Sequence, residues 1–230
     1  MITLRKSADR GRVQESWLES RHTFSFDTYH NPEWMNFGNL RVINEDWVAP
    51  EKGFPLHPHR DMEIVTFILE GSLEHRDSMG NQEIIRAGEI QRITAGSGIR
   101  HSEANPSATE EVHLLQIWVF PEEKGLEPSY EVRRFTAAPG VLKLIVSRDG
   151  RDGSALIHQD VSLFSGNLDA GRRLDYSLTP GRHAWLQVIE GKLALNGNAL
   201  SSGDGAAVSE ETSLVFETEE DSRFLLFDLD

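Results

Sequence analysis

From Leu40 to Phe120 the chain alternates short β-branched and aromatic runs with turn residues, and helical periodicity is weak throughout. Leu40-Arg41-Val42-Ile43 leads to Pro50, and Gly53-Phe54-Pro55 opens the next run. Ile64-Val65-Thr66-Phe67-Ile68-Leu69 is apolar at both parities and stops at Glu70-Gly71, which predicts a strand covered on both faces. Met79-Gly80-Asn81 and Ala87-Gly88-Glu89 are turn signals, Ala95-Gly96-Ser97-Gly98 is a further break, and Val112–Phe120 ends at Pro121. Short strands at this spacing predict an all-β sandwich or barrel.

A second series follows a looser stretch. Prolines and glycines at 121, 125, 128, 139, 140, 150 and 153 interrupt the pattern, and strands resume at Ala155–His158, Val161–Phe164, Trp185–Ile189, Lys192–Leu195, Ala206–Val208, Ser213–Phe216 and Phe224–Phe227. The halves rhyme: Phe67-Ile68-Leu69-Glu70-Gly71-Ser72-Leu73 resembles Gln187-Val188-Ile189-Glu190-Gly191-Lys192-Leu193. The expectation is a duplicated β-domain, with residues 1–130 as the N-terminal domain, 131–153 as a connecting segment and 154–230 as the C-terminal domain. Superposing the two Glu-Gly turns sets Ser177 and Thr179 where the first half has His57 and His59.

Those two histidines carry the chemistry. His57-Pro58-His59 and His101-Ser102-Glu103 each place ligand-type side chains at i, i+2 spacing. Successive side chains of a strand alternate between faces, so each pair points one way. On neighbouring strands of a small barrel, the pairs bring three imidazoles and one carboxylate to a point. That set suits a first-row divalent metal with positions left for substrate and dioxygen; iron(II), manganese, nickel, copper or zinc fit it better than magnesium or calcium. A lone His-x-His is more often a surface pair, but here seven of nine histidines precede residue 115 and a core strand follows the pair directly. The second half, with Ser177 and Thr179, is expected to carry no metal.

Other candidates have plainer readings. Glu63 shares the parity of His57 and His59, yet Arg60-Asp61-Met62 reads as a bend, so a supporting or salt-bridge role fits it better. His75 lies in the polar stretch Glu74-His75-Arg76-Asp77 and reads as surface; His113 reads as a satisfied core histidine. His22 has no ligand-type neighbour, His30, His158 and His183 are isolated, and Glu217–Asp221 reads as a solvated loop. The serines lack a hydrolase elbow, and there is no Gly-x-Gly-x-x-Gly opening a helix and no Walker sequence.

Composition narrows the function classes. The 230 residues are 38% hydrophobic and 26% charged, as in a globular protein, and a formal charge of −14 disfavours direct nucleic-acid binding. The absence of cysteine excludes disulfides, iron–sulfur ligation and thiol nucleophiles. Met1–Arg12 shows no apolar h-region, and no run approaches the roughly 18 apolar residues of a membrane span, so the expected location is the cytoplasm.

These residues resemble the cupin superfamily and, more closely, its pirin family. Gly53, His57-Pro58-His59, Glu63 and Gly71 are similar to the first cupin motif, and Gly88, Gly98, His101 and Asn105 to the second. The pirin-like stretches are His22-Thr23-Phe24-Ser25-Phe26, Leu40–Asp46, His57–Ile64, Leu73–Ser78 and Thr94–Glu103. The common cupin glutamate falls five residues after the second histidine, where this chain has Ile64; as in pirins, the resemblance assigns the fourth ligand to Glu103, in agreement with the parity argument.

The resemblance implies a bicupin of two jelly-roll barrels, with a metal-binding first cupin and a cupin-like second one. It implies one divalent ion, Fe(2+) first, with copper, nickel, manganese, zinc or cobalt as alternatives. It implies a monomeric oxidoreductase, a quercetinase-type dioxygenase taking a flavonol and O2 and releasing carbon monoxide. The alternative it implies is a non-catalytic, metal-sensing module that binds a regulatory protein. If flavonols are substrates, Glu103 is expected to serve as ligand and as general base toward the 3-hydroxyl, because a carboxylate has a second oxygen to offer.

Overall fold

The computed structural model describes residues 1–136 and 138–230; Ala137, in the expected connecting segment, lies outside them. Among the described residues the strands are, in chain order, β1 Ile2–Arg5, β2 Gly11–Gln14, β3 Leu18–His22, β4 Leu40–Val48, β5 Gly53–His59, β6 Glu63–Glu70, β7 Ser72–Asp77, β8 Gln82–Arg86, β9 Glu89–Thr94, β10 Ile99–Ala104, β11 Val112–Val119 and β12 Ser129–Arg134. They continue as β13 Lys143–Ser147, β14 Ala155–Leu156, β15 Val161–Leu168, β16 Arg173–Ser177, β17 His183–Glu190, β18 Lys192–Leu195, β19 Asn198–Ser201, β20 Gly205–Val208, β21 Ser213–Thr218 and β22 Ser222–Leu229. The helical segments among them are two single 3-10 turns, Ser7–Asp9 and Arg151–Gly153. The chain is all-β.

The histidine-bearing unit comprises Gly11–Phe135 with Ala155–Gln159. One of its sheets has the order β5-β10-β7-β8 and the other β12-β9-β6-β11-β4-β3-β2. Ile68, Val48, Val112 and Leu114 from the larger sheet bury against Leu73 and Ile85 from the smaller, and a second cluster joins Ile64 and Ile93 to Ile99. β6 is central, between β9 and β11, and is buried from Glu63 to Leu69, as its unbroken apolar run predicts. Ile68 is fully buried, so truncation to alanine costs about 2–5 kcal/mol.

The other unit comprises Met1–Arg10, residues 136–154 and Asp160–Asp230. Its strands repeat the pattern: β16-β21-β18-β19 matches β5-β10-β7-β8, and β20-β17-β22-β15 matches β9-β6-β11-β4. Its interior is filled by apolar side chains, including Leu178, Leu186, Leu193, Leu195, Phe216 and Phe224. Read from β18, Phe216 stands where Glu103 does, opposite Leu174 and Leu195, and Leu214, opposite Tyr176, stands where His101 does. Ser177 and Thr179, expected at the places of His57 and His59, are exposed, because β16 lacks the extra residue that shifts β5. The Glu-Gly repeat marks the same turn twice. Gly71 and Gly191 both take positive φ, and a Cβ there would lie 2.6 Å from Glu111 O and 2.2 Å from Asp221 O.

The unit boundaries differ from those expected along the chain. Residues 2–5 pair antiparallel with β20, Ile2 opposite Val208, and so belong with the second unit. Residues 131–134 are not connection but the end of β12, laid along β9 in the first unit. Lys143–Ser147 pairs with β15 in the second. Ala155–Gln159 returns to the first, where the Leu156 N–H donates to Glu131 Oε1 (3.0 Å) and Gln159 Nε2 donates to Phe120 O (2.9 Å). Composition shifts mark breaks in local pattern, whereas a strand's unit is set by the distant edge it pairs with.

Candidate metal centre

β5 and β10 run antiparallel side by side, with His57 opposite His101 and His59 opposite Ile99. The register shifts between His101 and Glu103, so Glu103 faces Phe54 and the extra residue lies near Pro55 on β5. Proline suits a bulge, because it has no N–H to give the ladder. The freed Pro55 carbonyl accepts a hydrogen bond from His57 Nδ1 at 2.7 Å, which leaves Nε2 as that ring's lone-pair nitrogen.

The three imidazoles converge. Ring centroids are 4.4 Å apart for His57 and His101, 4.8 Å for His57 and His59, and 4.8 Å for His59 and His101. One ligand nitrogen from each lies within 4.8 Å of the others. His101 Nε2 is buried and has no protein partner, which is costly unless something outside the chain takes its lone pair. Burial and then the neighbouring histidines lower the pKa of His59 to about 4 and of His101 to about 3. Both rings are therefore neutral at pH 7, the form that binds metals. The donor set fits a divalent first-row ion.

Glu103 is buried beside this triad but is held elsewhere. Gln91 Nε2 donates to its Oε1 (2.6 Å) and Gln116 Nε2 to its Oε2 (3.0 Å), while His101 Nδ1 lies 4.0 Å from Oε1. Thr66 locks both amides, accepting from Gln91 Nε2 (3.1 Å) and donating to Gln116 Oε1 (3.0 Å). The structure thus brings the three predicted histidines together and sets the predicted carboxylate at their edge. Gln91 and Gln116 escaped the sequence reading; the available signal was a buried-type strand, Ile90–Thr94, interrupted by glutamine.

His57, His59 and Glu103 line a cavity of about 230 Å³ whose other walls include Phe26, Phe54 and Trp118. Trp118 meets His59 edge-on, ring centroids 4.9 Å apart, and Phe26 meets Trp118 at 5.4 Å. Asn44, Asp46 and Ser20 add polar groups at the same cavity, with the Ser20 hydroxyl donating to Asp46. The arrangement can hold a flat aromatic molecule with one edge toward the histidines.

Several histidines differ from their sequence reading. His75, expected at the surface, is fully buried: its Nε2 is 3.0 Å from Asp77 Oδ2 and its ring stacks on Tyr130 at 4.5 Å. The signal was there in the alternation of Leu73, His75 and Asp77, obscured by the charged residues between them. His158, expected to be isolated, sits 3.3 Å from Glu63 Oε1. Glu63 is fully buried beside it, in the supporting place expected of it, and its Oε2 accepts from Thr94 Oγ1 (3.1 Å); burial raises its pKa. Asp61, with φ of 49°, forms the predicted bend. His113 stacks on Trp47 at 4.3 Å with Nε2 3.1 Å from Glu45, and His22 packs edge-on to Phe26 at 5.1 Å. His183 Nδ1 lies 3.1 Å from Ser209 Oγ, and His30 is exposed.

Two β-domains of repeated topology, one with convergent histidines, define a metal-binding bicupin. Residues 4–119 match the pirin family model, and residues 144–229 match the quercetinase C-terminal cupin domain. The chain is 48% identical over 229 residues to the quercetin 2,3-dioxygenase of Escherichia coli K12, covering 100% of this chain and 99% of that one. The crystal structure of YhhW from Escherichia coli superposes with a TM-score of 0.98 at 48% identity, covering 100% of this chain and 98% of that one. The bacterial pirin YhhW in complex with nickel(II) gives 0.96 at 48% identity, with coverage of 100% and 99%. The chain belongs to the pirin family.

Proposed function

We propose that this chain is a metal-dependent quercetin 2,3-dioxygenase, an oxidoreductase that opens a flavonol ring with O2 and releases carbon monoxide. The observation that carries the reading is the histidine triad, two of whose members, His57 and His59, line an aromatic-walled cavity. A closed structural site would saturate its ion with protein ligands, whereas three histidines and one carboxylate leave one or two positions for small molecules. The full-length likeness to an Escherichia coli quercetin 2,3-dioxygenase supports the substrate class.

His57, His59 and His101 hold the ion, and Glu103 is its fourth ligand. Iron is the favoured native metal; a homologue holds nickel(II), and copper, manganese, cobalt and zinc suit the same donors. The bound ion supplies Lewis acidity toward the flavonol 3-hydroxyl and redox access to dioxygen. Phe26, Phe54 and Trp118 cover the flavonol rings and exclude water from the reacting edge. Glu103, aimed by Gln91 and Gln116, accepts the 3-hydroxyl proton. In the second cupin, Leu214 and Phe216 stand where His101 and Glu103 do, and Ser177 and Thr179 offer no imidazole, so the expected stoichiometry is a single ion per chain.

Among the described residues no helix is long and apolar enough to cross a membrane. The reading carries a monomer in the cytoplasm.

The test is an aerobic assay with quercetin on iron-, copper-, nickel-, manganese- and cobalt-loaded protein, following loss of flavonol absorbance and release of carbon monoxide. Turnover with carbon monoxide in step with substrate loss supports the assignment. No turnover with any of these metals rejects it and favours the protein-binding module.

A further inference from the structure

A fully buried histidine behind the metal centre does more than fill space, given the three-histidine site of the preceding reading. His75 lies on β7, which pairs with β10 so that Glu103 faces His75 and His101 faces Asp77. Its Nε2 is 3.0 Å from Asp77 Oδ2, and its Nδ1 is 3.4 Å from Nδ1 of His101. Tyr130 stacks on the ring with an interplanar angle of 15°, fixing its plane.

The order of protons along this row follows from donor chemistry. An ionised carboxylate only accepts, so the His75 nitrogen facing Asp77 carries hydrogen. Neutral His75 then has a bare Nδ1, which accepts from the Nδ1–H of His101. His101 in that tautomer offers Nε2, the buried nitrogen that has no protein partner. Asp77 is itself held: its Oδ1 accepts from the N–H groups of Met79 (2.9 Å) and Asn81 (3.0 Å), and its Oδ2 from Asn81 Nδ2 (2.8 Å). We propose that Asp77 and His75 are positioning residues that fix the tautomer and orientation of His101, and thereby strengthen His101 Nε2 as a metal ligand.

A rival arrangement has to be excluded. His75, His101 and Glu103 also bring ligand atoms within 4.8 Å of one another. One observation sets it aside: two of the three residues in the His57, His59 and His101 set line the cavity, whereas of the rival set only Glu103 does. An ion held by His75 would have no path to substrate.

The deciding measurement is a long-range proton–nitrogen correlation spectrum of the imidazoles in the full chain, metal-free and zinc-loaded. The expected result is His75 protonated at Nε2 and bare at Nδ1 in both samples, with His101 protonated at Nδ1. A His75 protonated at Nδ1, or a zinc-induced shift of a His75 nitrogen into the coordinated range, overturns the proposal. In a folded His75→Phe variant, zinc should bind about 10–100-fold more weakly, as found when outer partners of ligating histidines are lost. The visible bands of its cobalt(II) form should also shift. His75→Asn, whose amide oxygen falls near the place of Nδ1, should recover most of the affinity. Unchanged zinc affinity in His75→Phe, or no recovery in His75→Asn, also overturns the proposal; if His75→Phe does not fold, the spectrum of the unaltered chain decides. None of these readouts depends on flavonol turnover. Failure of the unaltered chain to take up zinc would count against the metal site, while the metal-free spectrum would still decide the tautomers.

Discussion

His57 and His101 face each other across the β5–β10 ladder, ring centroids 4.4 Å apart, each with one nitrogen engaged by the protein and the other turned inward. Neither ring can be replaced by a neighbour, because the flanking residues on both strands point to the opposite face.

Substitution of either histidine by alanine should therefore empty the site. Metal analysis of His57→Ala or His101→Ala protein should fall from near one ion per chain to near none, with the fold retained. Full occupancy in both variants would reject the assignment, and two tightly bound ions in the unaltered chain would contradict an empty second cupin.

Glu103→Gln separates a proton-accepting role from a purely coordinating one. The variant keeps size and a coordinating oxygen but loses charge and most of its basicity. With metal retained, turnover should fall by about two to four orders of magnitude, the usual loss for a general base. Near-normal turnover would leave Glu103 without a role in proton transfer.

At Gly53, opposite Ala104, β10 leaves no room for a side chain on β5. A Cβ there would lie 2.2 Å from Glu103 O and 2.4 Å from Ala104 Cα, and backbone cannot step aside as a flexible side chain can. Gly53→Ala should cost about 1–3 kcal/mol in denaturant unfolding, the range for overpacking. It should also weaken metal binding, since Glu103 would move with its strand. A variant as stable as the parent would show that the two strands separate freely.

Acid should destabilise the metal-free protein through its histidines. His59 and His101 take protons near 4 and near 3 in the fold against 6.5 in the unfolded chain, because burial and neighbouring histidines disfavour imidazolium. Between those values the unfolded chain binds more protons, so stability is fully present above 6.5, declines as pH falls and levels off near 3. Melting temperature measured from pH 7 down to pH 4 should drop less steeply for His101→Asn than for the parent. Equal slopes would locate the acid sensitivity elsewhere.

Parity was the most productive signal in the chain, and its limits are physical. It placed His57, His59 and His101 together because the pleat of a strand is a local property. It placed Glu103 on the same side, yet the carboxylate's partners, Gln91 and Gln116, come from β9 and β11 in the other sheet. His75 obeyed the same alternation as Leu73 and was still misjudged, because Glu74 and Arg76 made the stretch look solvated. Glu63 lies on β6 and its neighbour His158 in the Ala155–Gln159 segment far along the chain, and no local period links the two.

By itself the sequence determined the all-β class, the duplicated topology, the doubly covered β6 and the common face of His57, His59 and His101. All of these follow from side-chain period and turn chemistry, which act over a few residues. Only the tertiary structure decided that residues 2–5 pair with β20, that Ala155–Gln159 joins the first unit, that His75 is buried and that Glu103 is held by two amides. Those outcomes depend on which distant strand edges satisfy one another's hydrogen bonds and which polar groups are shut away from water together, and no local period encodes either.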